Sequence, residues 1–217
     1  MPERTLVAAH RGASTLAREN SLEAFAKAIE LGADMVEFDV RRTADGHLVA
    51  FHDERAAGRP LGELTLASLA AALGAAPPRL DEVVELCAGR IGLDVELKER
   101  GTEAEALDAV AGRFGPDELV VTSFLDDVVA AVARLRPDVR AGLLLRPGDE
   151  PRPGPGGFLA PHVELLESGR LGEAAGLYVW TVNDPERLRR CFADPRVAAV
   201  ITDDPALALA IRAEAAR

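Results

Sequence analysis

Two short segments alternate acidic with apolar residues: Glu37-Phe38-Asp39 and Asp94-Val95-Glu96-Leu97-Lys98. If both are strands, their two-residue period sends Glu37, Asp39, Asp94, Glu96 and Lys98 to one side, and Val36, Phe38, Val40, Leu93, Val95 and Leu97 to the other. Several carboxylates crowded together cannot all ionise unless a cation neutralises them or their pKa values rise. Glu37, Asp39 and Glu96 offer only oxygen and no thiolate, a donor set suited to a hard divalent cation, Mg2+ or Ca2+ with Mn2+ also possible, more than to zinc. The same residues allow a second reading, a structural ion network with Lys98 and Arg11, and the metal is the favoured one. Asp94 lies deeper in its strand and stands behind the ligands at best.

Two histidines accompany the acids. His10-Arg11-Gly12 closes one apolar run, and Phe51-His52-Asp53 ends another. With both at one mouth, one imidazole can take a proton from an attacking oxygen while the other protonates a leaving alkoxide. The cation and Arg11 or Lys98 would hold phosphoryl oxygens, so the chemistry indicated is phosphodiester hydrolysis. His47, beside the Asp45-Gly46 turn, reads as solvated, and His162 as a weaker candidate for the mouth. Trp180, on a strand with Asn183 at its end, reads as a substrate wall or a core residue. Asn20 reads as a helix cap. A Schiff-base lyase using Lys98 is a competing class, ranked low because neighbouring acids keep the amine protonated. A non-catalytic binding barrel is a third.

The chain alternates eight apolar, β-rich runs with helical segments: Leu6 to His10, Met35 to Val40, Gly92 to Lys98, Leu119 to Phe124, Ala141 to Leu145, Phe158 to Pro161, Leu177 to Val182 and Ala199 to Thr202. That rhythm predicts parallel strands closed into a barrel, whose active site forms at the strand carboxyl ends. Leu22, Phe25, Ala26 and Ile29 make a helical stripe, with Asn20 and Glu23 as its capping box and Gly32 past its end. Thr102 with Glu105 reads as a second capping box, before Leu107, Val110 and Phe114. Asp184-Pro185 and Asp204-Pro205 open the last two helices. Thr43-Ala44-Asp45-Gly46 predicts a hairpin turn, with His47 to Phe51 returning antiparallel. Asp53 to Pro78 is an insertion with one short helix near Thr65 to Leu73, and Pro147 to Gly157 is a loop.

At 217 residues the chain fits one closed barrel, read as a single domain over 1–217. Its net charge of −11, with no basic cluster, argues against nucleic acid or anionic membrane as the main partner. No run of about 18 apolar residues suits stable membrane insertion, and the start lacks the layout of a secretory leader, so a cytoplasmic location is expected. Cys87 and Cys191 fall on apolar helix faces and read as reduced core residues.

The order of motifs resembles the glycerophosphodiester phosphodiesterase family. The matching text is His-Arg-Gly at 10 to 12, Glu-Asn-Ser at 19 to 21 followed by Leu-Glu-Ala-Phe, Glu-Phe-Asp-Val at 37 to 40, Asp-Gly at 45 to 46, Phe-His-Asp at 51 to 53, Val-Glu-Leu-Lys at 95 to 98, Trp-Thr-Val-Asn at 180 to 183 and Ile-Thr-Asp-Asp-Pro at 201 to 205. The resemblance implies a single (β/α)8 TIM barrel and a metal-dependent hydrolase cleaving small glycerophosphodiesters to an alcohol and sn-glycerol 3-phosphate. It implies Glu37, Asp39 and Glu96 as ligands of the divalent cation and His10 and His52 as acid and base. Arg11 and Lys98 would contact phosphate, and Trp180 would line the pocket. Two departures stand out: the stretch after His52 is shorter than the family's, and position 94 is Asp where the family often has Asn. The first leaves a lysophospholipase D-type substrate, or another small phosphodiester, as an alternative.

Overall fold

The computed structural model describes residues 4–152 and 154–215. In chain order its strands are β1 (Leu6–His10), β2 (Met35–Arg42), β3 (Leu48–Ala50), β4 (Arg55–Ala56), β5 (Arg59–Pro60), β6 (Gly92–Leu97), β7 (Leu119–Ser123), β8 (Arg140–Leu145), β9 (Gly157–Pro161), β10 (Leu177–Val179) and β11 (Val197–Thr202). The helices are α1 (Leu22–Leu31), α2 (Leu66–Leu73), α3 (Leu80–Cys87), α4 (Glu103–Val110), α5 (Asp126–Leu135), α6 (Val163–Glu167), α7 (Pro185–Ala193) and α8 (Pro205–Ala215). Eight parallel strands run β10-β11-β1-β2-β6-β7-β8-β9, and β3 pairs antiparallel with β2. The seam between β9 and β10 closes through one bridge at His162 and Trp180, where Trp180 N–H donates to Pro161 O at 3.1 Å and Val163 N–H to Trp180 O at 2.7 Å. The molecule is a nearly closed (β/α)8 barrel.

Alternation along the strands builds two apolar layers. Val36, Phe38, Val40, Leu93, Val95 and Leu97 point outward into a core shared with helix residues such as Phe25, Val83 and Val132. Inside the barrel, Ala8, Met35, Phe158, Tyr178 and Ile201 plug the lower half. Each large apolar side chain so buried contributes about 1.5–3 kcal/mol. The plug leaves no room for a side chain at Gly142, where a Cβ would fall 2.3 Å from Phe158 Cζ. Gly142→Ala should therefore cost about 1–3 kcal/mol or more, read as a lower urea midpoint at unchanged m-value.

Helix starts depart from expectation in two places. Ser21, not Asn20, caps α1, its hydroxyl accepting from Ala24 N–H. Asn20 instead takes a left-handed φ of 52°, which frees its amide for the barrel. Thr102 makes no side-chain cap; its hydroxyl donates to Glu99 O, and α4 ends at Val110, before Phe114. Asp184 and Asp204 cap as expected, accepting from Arg187 and Leu207 N–H. The predicted hairpin also forms, with Thr43 N–H donating to His47 O and Gly46 at φ 88°. Beyond it, the insertion folds over its own small core of Val49, Ala56, Leu61, Leu64 and Leu69. It includes a two-residue hairpin, β4–β5, that the sequence reading did not foresee.

Candidate active site

Register fixes the acids before any side chain is considered. Glu37 is level with His10 on one side and Asp94 on the other, and Asp39 is level with Glu96. The inward faces of β1, β2 and β6 therefore carry His10, Glu37, Asp39, Asp94 and Glu96 above the apolar plug, all four acids buried. One oxygen each from Glu37, Asp39 and Glu96 lies within 4.8 Å of the others.

Loop geometry brings in the cations. Arg11 has φ 55° and Gly12 φ 85°, and a Cβ on Gly12 would lie 2.6 Å from Ala24 Cβ, so only glycine lets the turn press against α1. That turn aims Arg11 N–H at Glu37 Oε2 (3.0 Å) and its Nε at Asp39 Oδ2 (3.2 Å), while Nη1 meets Glu19 (3.0 Å). Lys98 Nζ lies 2.8 Å from Asp39 Oδ1 and 2.6 Å from Glu96 Oε1. Both are ion pairs, and among the described residues neither oxygen has a partner with hydrogen-bond geometry.

Electrostatics follows from this crowding. Burial, then Asp39, Glu96 and Asp94, push the Glu37 carboxyl well above its usual range. Burial raises Glu96 too, although Lys98 opposes it. Burial alone would raise Asp39, but Lys98 and Arg11 outweigh it and hold that carboxyl low. The acids in turn raise Lys98 against its burial, so the ammonium persists and the Schiff-base reading loses its nucleophile. Two fixed cations face four buried acids, and Asp39 Oδ1 and Glu96 Oε1 are left without good donors. A converging set of hard oxygens that lacks positive charge fits a divalent cation.

Asp94 accepts from Thr122 Oγ1 at 2.8 Å, and burial lifts its pKa to about 7. Among the described residues its other oxygen has no hydrogen-bond partner. A carboxyl held protonated in the fold but ionised in the unfolded chain makes stability fall as pH rises from about 4, levelling above about 7. The Asp94 contribution is at most about 4 kcal/mol. In EDTA, Asp94→Asn should flatten this part of the curve, measured by urea unfolding at pH 5 and pH 8.

The two histidines arrive by different routes. His10 ends β1, its Nε2 3.9 Å from Glu37 Oε2 and its Nδ1 2.6 Å from Asp203 Oδ1. Asp203 is itself held by Asn183 Nδ2 (2.5 Å) and Ser14 Oγ (3.4 Å), and the His10 hydrogen bond lowers its pKa. His52 rides on the hairpin arm, tied back by Phe51 N–H to Asp39 O (3.0 Å) and by Arg41 Nε to its own carbonyl (2.8 Å). Its Nδ1 lies 2.8 Å from Asp53 Oδ1.

Both histidines, Arg11, Glu37, Glu96, Lys98 and Trp180 line one cleft of about 490 Å3 at the strand carboxyl ends. Asp39, fully buried and contacted by Arg11, Asn20 and Lys98, is not among its lining residues. Trp180 is anchored by Nε1–H to Ala160 O (2.7 Å) and sits edge-on to Phe124 and His162. His162 caps α6, and His47 lies on the distant hairpin turn.

Sequence reading missed Asp203 and misassigned Asn20. Asn20 Nδ2 donates to Asp39 Oδ2 (2.7 Å), and its Oδ1 accepts Asp39 N–H (3.3 Å). The Ile-Thr-Asp-Asp-Pro text was visible, but an acid at a strand end does not name its partner. Asp203→Asn should slow turnover, by no more than the ~10^2–10^4-fold that one proton transfer is worth. Steady-state kinetics beside the Asn183→Ala variant checks this.

Fold and site together define a (β/α)8-barrel hydrolase of the phosphoric diester class. Comparison with known proteins agrees: residues 10–86 match the model of the glycerophosphoryl diester phosphodiesterase family. The glycerophosphodiester phosphodiesterase of Caldanaerobacter subterraneus subsp. tengcongensis is 31% identical, over 93% of this chain and 95% of its own length. The crystal structure of the Thermotoga maritima glycerophosphodiester phosphodiesterase is 28% identical with a TM-score of 0.80, covering 98% of this chain and all of that one. An Oleispira antarctica phosphodiesterase, solved with the product sn-glycerol-3-phosphate, shares the fold at 22% identity and a TM-score of 0.78, over 96% of each chain. The chain belongs to the glycerophosphodiester phosphodiesterase family.

Proposed function

We propose that the protein hydrolyses small glycerophosphodiesters to an alcohol and sn-glycerol 3-phosphate, with a divalent cation at the barrel mouth. The observation that carries the reading is the convergence of Glu37, Asp39 and Glu96 within 4.8 Å, at a cleft that two imidazoles line. Glu37, Asp39 and Glu96 would hold the cation, Mg2+ or Ca2+ by donor type, with Mn2+ also suited. When bound, such a cation neutralises charge developing on phosphoryl oxygens.

This chain's residues supply the rest. Arg11 and Lys98 line the cleft and orient the phosphate oxygens. Asp203 and Asp53 each accept from a histidine Nδ1–H, which fixes the ring and leaves Nε2 for the substrate. One imidazole accepts the proton of the attacking oxygen and the other delivers a proton to the departing alkoxide. Trp180 closes the wall of the same cleft.

The barrel is proposed to act as one domain over 1–217. Among the described residues no helix is long and apolar enough to cross a membrane. The free thiols of Cys87 and Cys191 are buried, which suits the cytoplasmic setting proposed. The test is release of sn-glycerol 3-phosphate from glycerophosphodiesters with Mg2+, Ca2+ or Mn2+, then after EDTA. Activity that survives EDTA would contradict the metal, and absence of release from every ester would contradict the function. Release of the alcohol from lysophospholipids alone, leaving lysophosphatidate instead of sn-glycerol 3-phosphate, would favour the lysophospholipase D-type alternative, motivated by the short stretch after His52.

A further inference from the structure

Four fixed cations line the cleft, and three are occupied. Arg11 pairs with Glu19 and Asp39, Lys98 with Asp39 and Glu96, and Arg41 faces Glu99 at 3.7 Å while donating to His52 O. Arg146 differs. Among the described residues its guanidinium makes neither a hydrogen bond nor an ion pair; only its backbone is used, the N–H donating to Asp149 Oδ2 at 2.8 Å and the carbonyl accepting from Asp149 N–H at 3.1 Å. Its Cζ lies 4.0 Å from the centroid of the Phe124 ring. This cation–π contact holds the guanidinium against the wall and leaves its N–H donors unspent.

Topology says what Arg146 faces. Around the barrel the order is β1, β2, β6, β7, β8, so the carboxyl end of β8 stands across the mouth from β1. His10 and Arg11 follow β1, the acids come from β2 and β6, and Phe124 follows β7 between them and Arg146. Lys98 Nζ lies 5.8 Å from the same Phe124 ring. A diester phosphate seated at the acids would have Phe124, and beyond it Arg146, along one wall of the same cleft.

We propose that Arg146 selects the alcohol arm, favouring a glycerophosphodiester whose alcohol carries a carboxylate or a second phosphate over one carrying a quaternary ammonium. The proposal rests on the phosphodiesterase reading and names its substrate class. An aromatic face is the usual receptor for a quaternary ammonium. Here Phe124 already carries a guanidinium, and a second cation beside it meets like charge. An anionic group meets a fixed fork able to bind it through two parallel N–H bonds.

The test uses three synthetic diesters of sn-glycerol 3-phosphate of similar size, with glycolate, ethanediol and choline as the alcohols. In the wild type, kcat/KM should rank glycolate above choline. Arg146→Gln should lower the glycolate-to-choline ratio about 10-fold, and Arg146→Glu should invert the preference. Because Arg146 is exposed, both variants should fold, which circular dichroism checks. A ratio unchanged by both substitutions overturns the proposal while leaving the hydrolase intact. Failure of the wild type on all three esters overturns the phosphodiesterase reading and this proposal with it.

Discussion

Replacing His10 by alanine should lower turnover by about 10^2- to 10^4-fold with little loss of stability, and His52→Ala should do the same. In the proposed mechanism each imidazole carries one proton transfer, and neither histidine lies in the core. His10 stands at a strand end with its side chain 19% exposed, and His52 on the arm is 39% exposed. Removing His10 still leaves Asp203 bound to Asn183 and Ser14. Thermal unfolding should therefore move little while kcat collapses. The double variant should lose less than the product of the single losses, because residues that act as a unit are not additive. A turnover drop below about 10-fold for both single variants would remove the acid–base assignment.

Glu37→Gln should act on activity and stability with opposite signs. The amide keeps the shape and can still accept Arg11 N–H, but it gives up the charge a divalent cation needs. A loss of several kcal/mol of charge stabilisation corresponds to about 10^2–10^4 in rate. In EDTA the same variant should be more stable than wild type above neutral pH, by on the order of 1 kcal/mol or more. The sign follows from burial and the neighbouring acids, which raise the Glu37 pKa in the folded state. Ionising it in the fold costs free energy that the unfolded chain does not spend, so wild-type stability falls as pH rises, and glutamine removes that cost. Titration with Mg2+ should reverse the order, stabilising wild type more than the variant. Activity indifferent to both EDTA and Glu37→Gln would leave the acids as a purely structural network with Lys98 and Arg11.

Local chemistry alone determined much of this molecule. The period of two along 35–40 and 92–98 sorted carboxylates inward and Val, Leu and Phe outward, because a pleated strand has only two faces. The Asp-Gly turn after β2 and the Asp-Pro starts of α7 and α8 were also legible, because such residues satisfy backbone groups within a few positions. His10, His52, Glu37, Asp39, Glu96, Lys98 and Trp180 could be picked out in the same way, as polar or aromatic residues on apolar strands.

Contacts between distant segments could be decided only by the tertiary structure. Asn20 sits next to a good helix start, and its sequence neighbours make it a cap. A left-handed backbone turn gives that role to Ser21 and sends the Asn20 amide to Asp39, 19 residues away. Asp203 and His10 are 193 residues apart and meet only because β11 and β1 are barrel neighbours. Lys98 was placed on the inner face by its strand, yet its position between Asp39 and Glu96 depends on the registration of β2 against β6. Side-chain type and spacing determine which face a group takes. Its partner is set by barrel closure, a property of all eight strands at once.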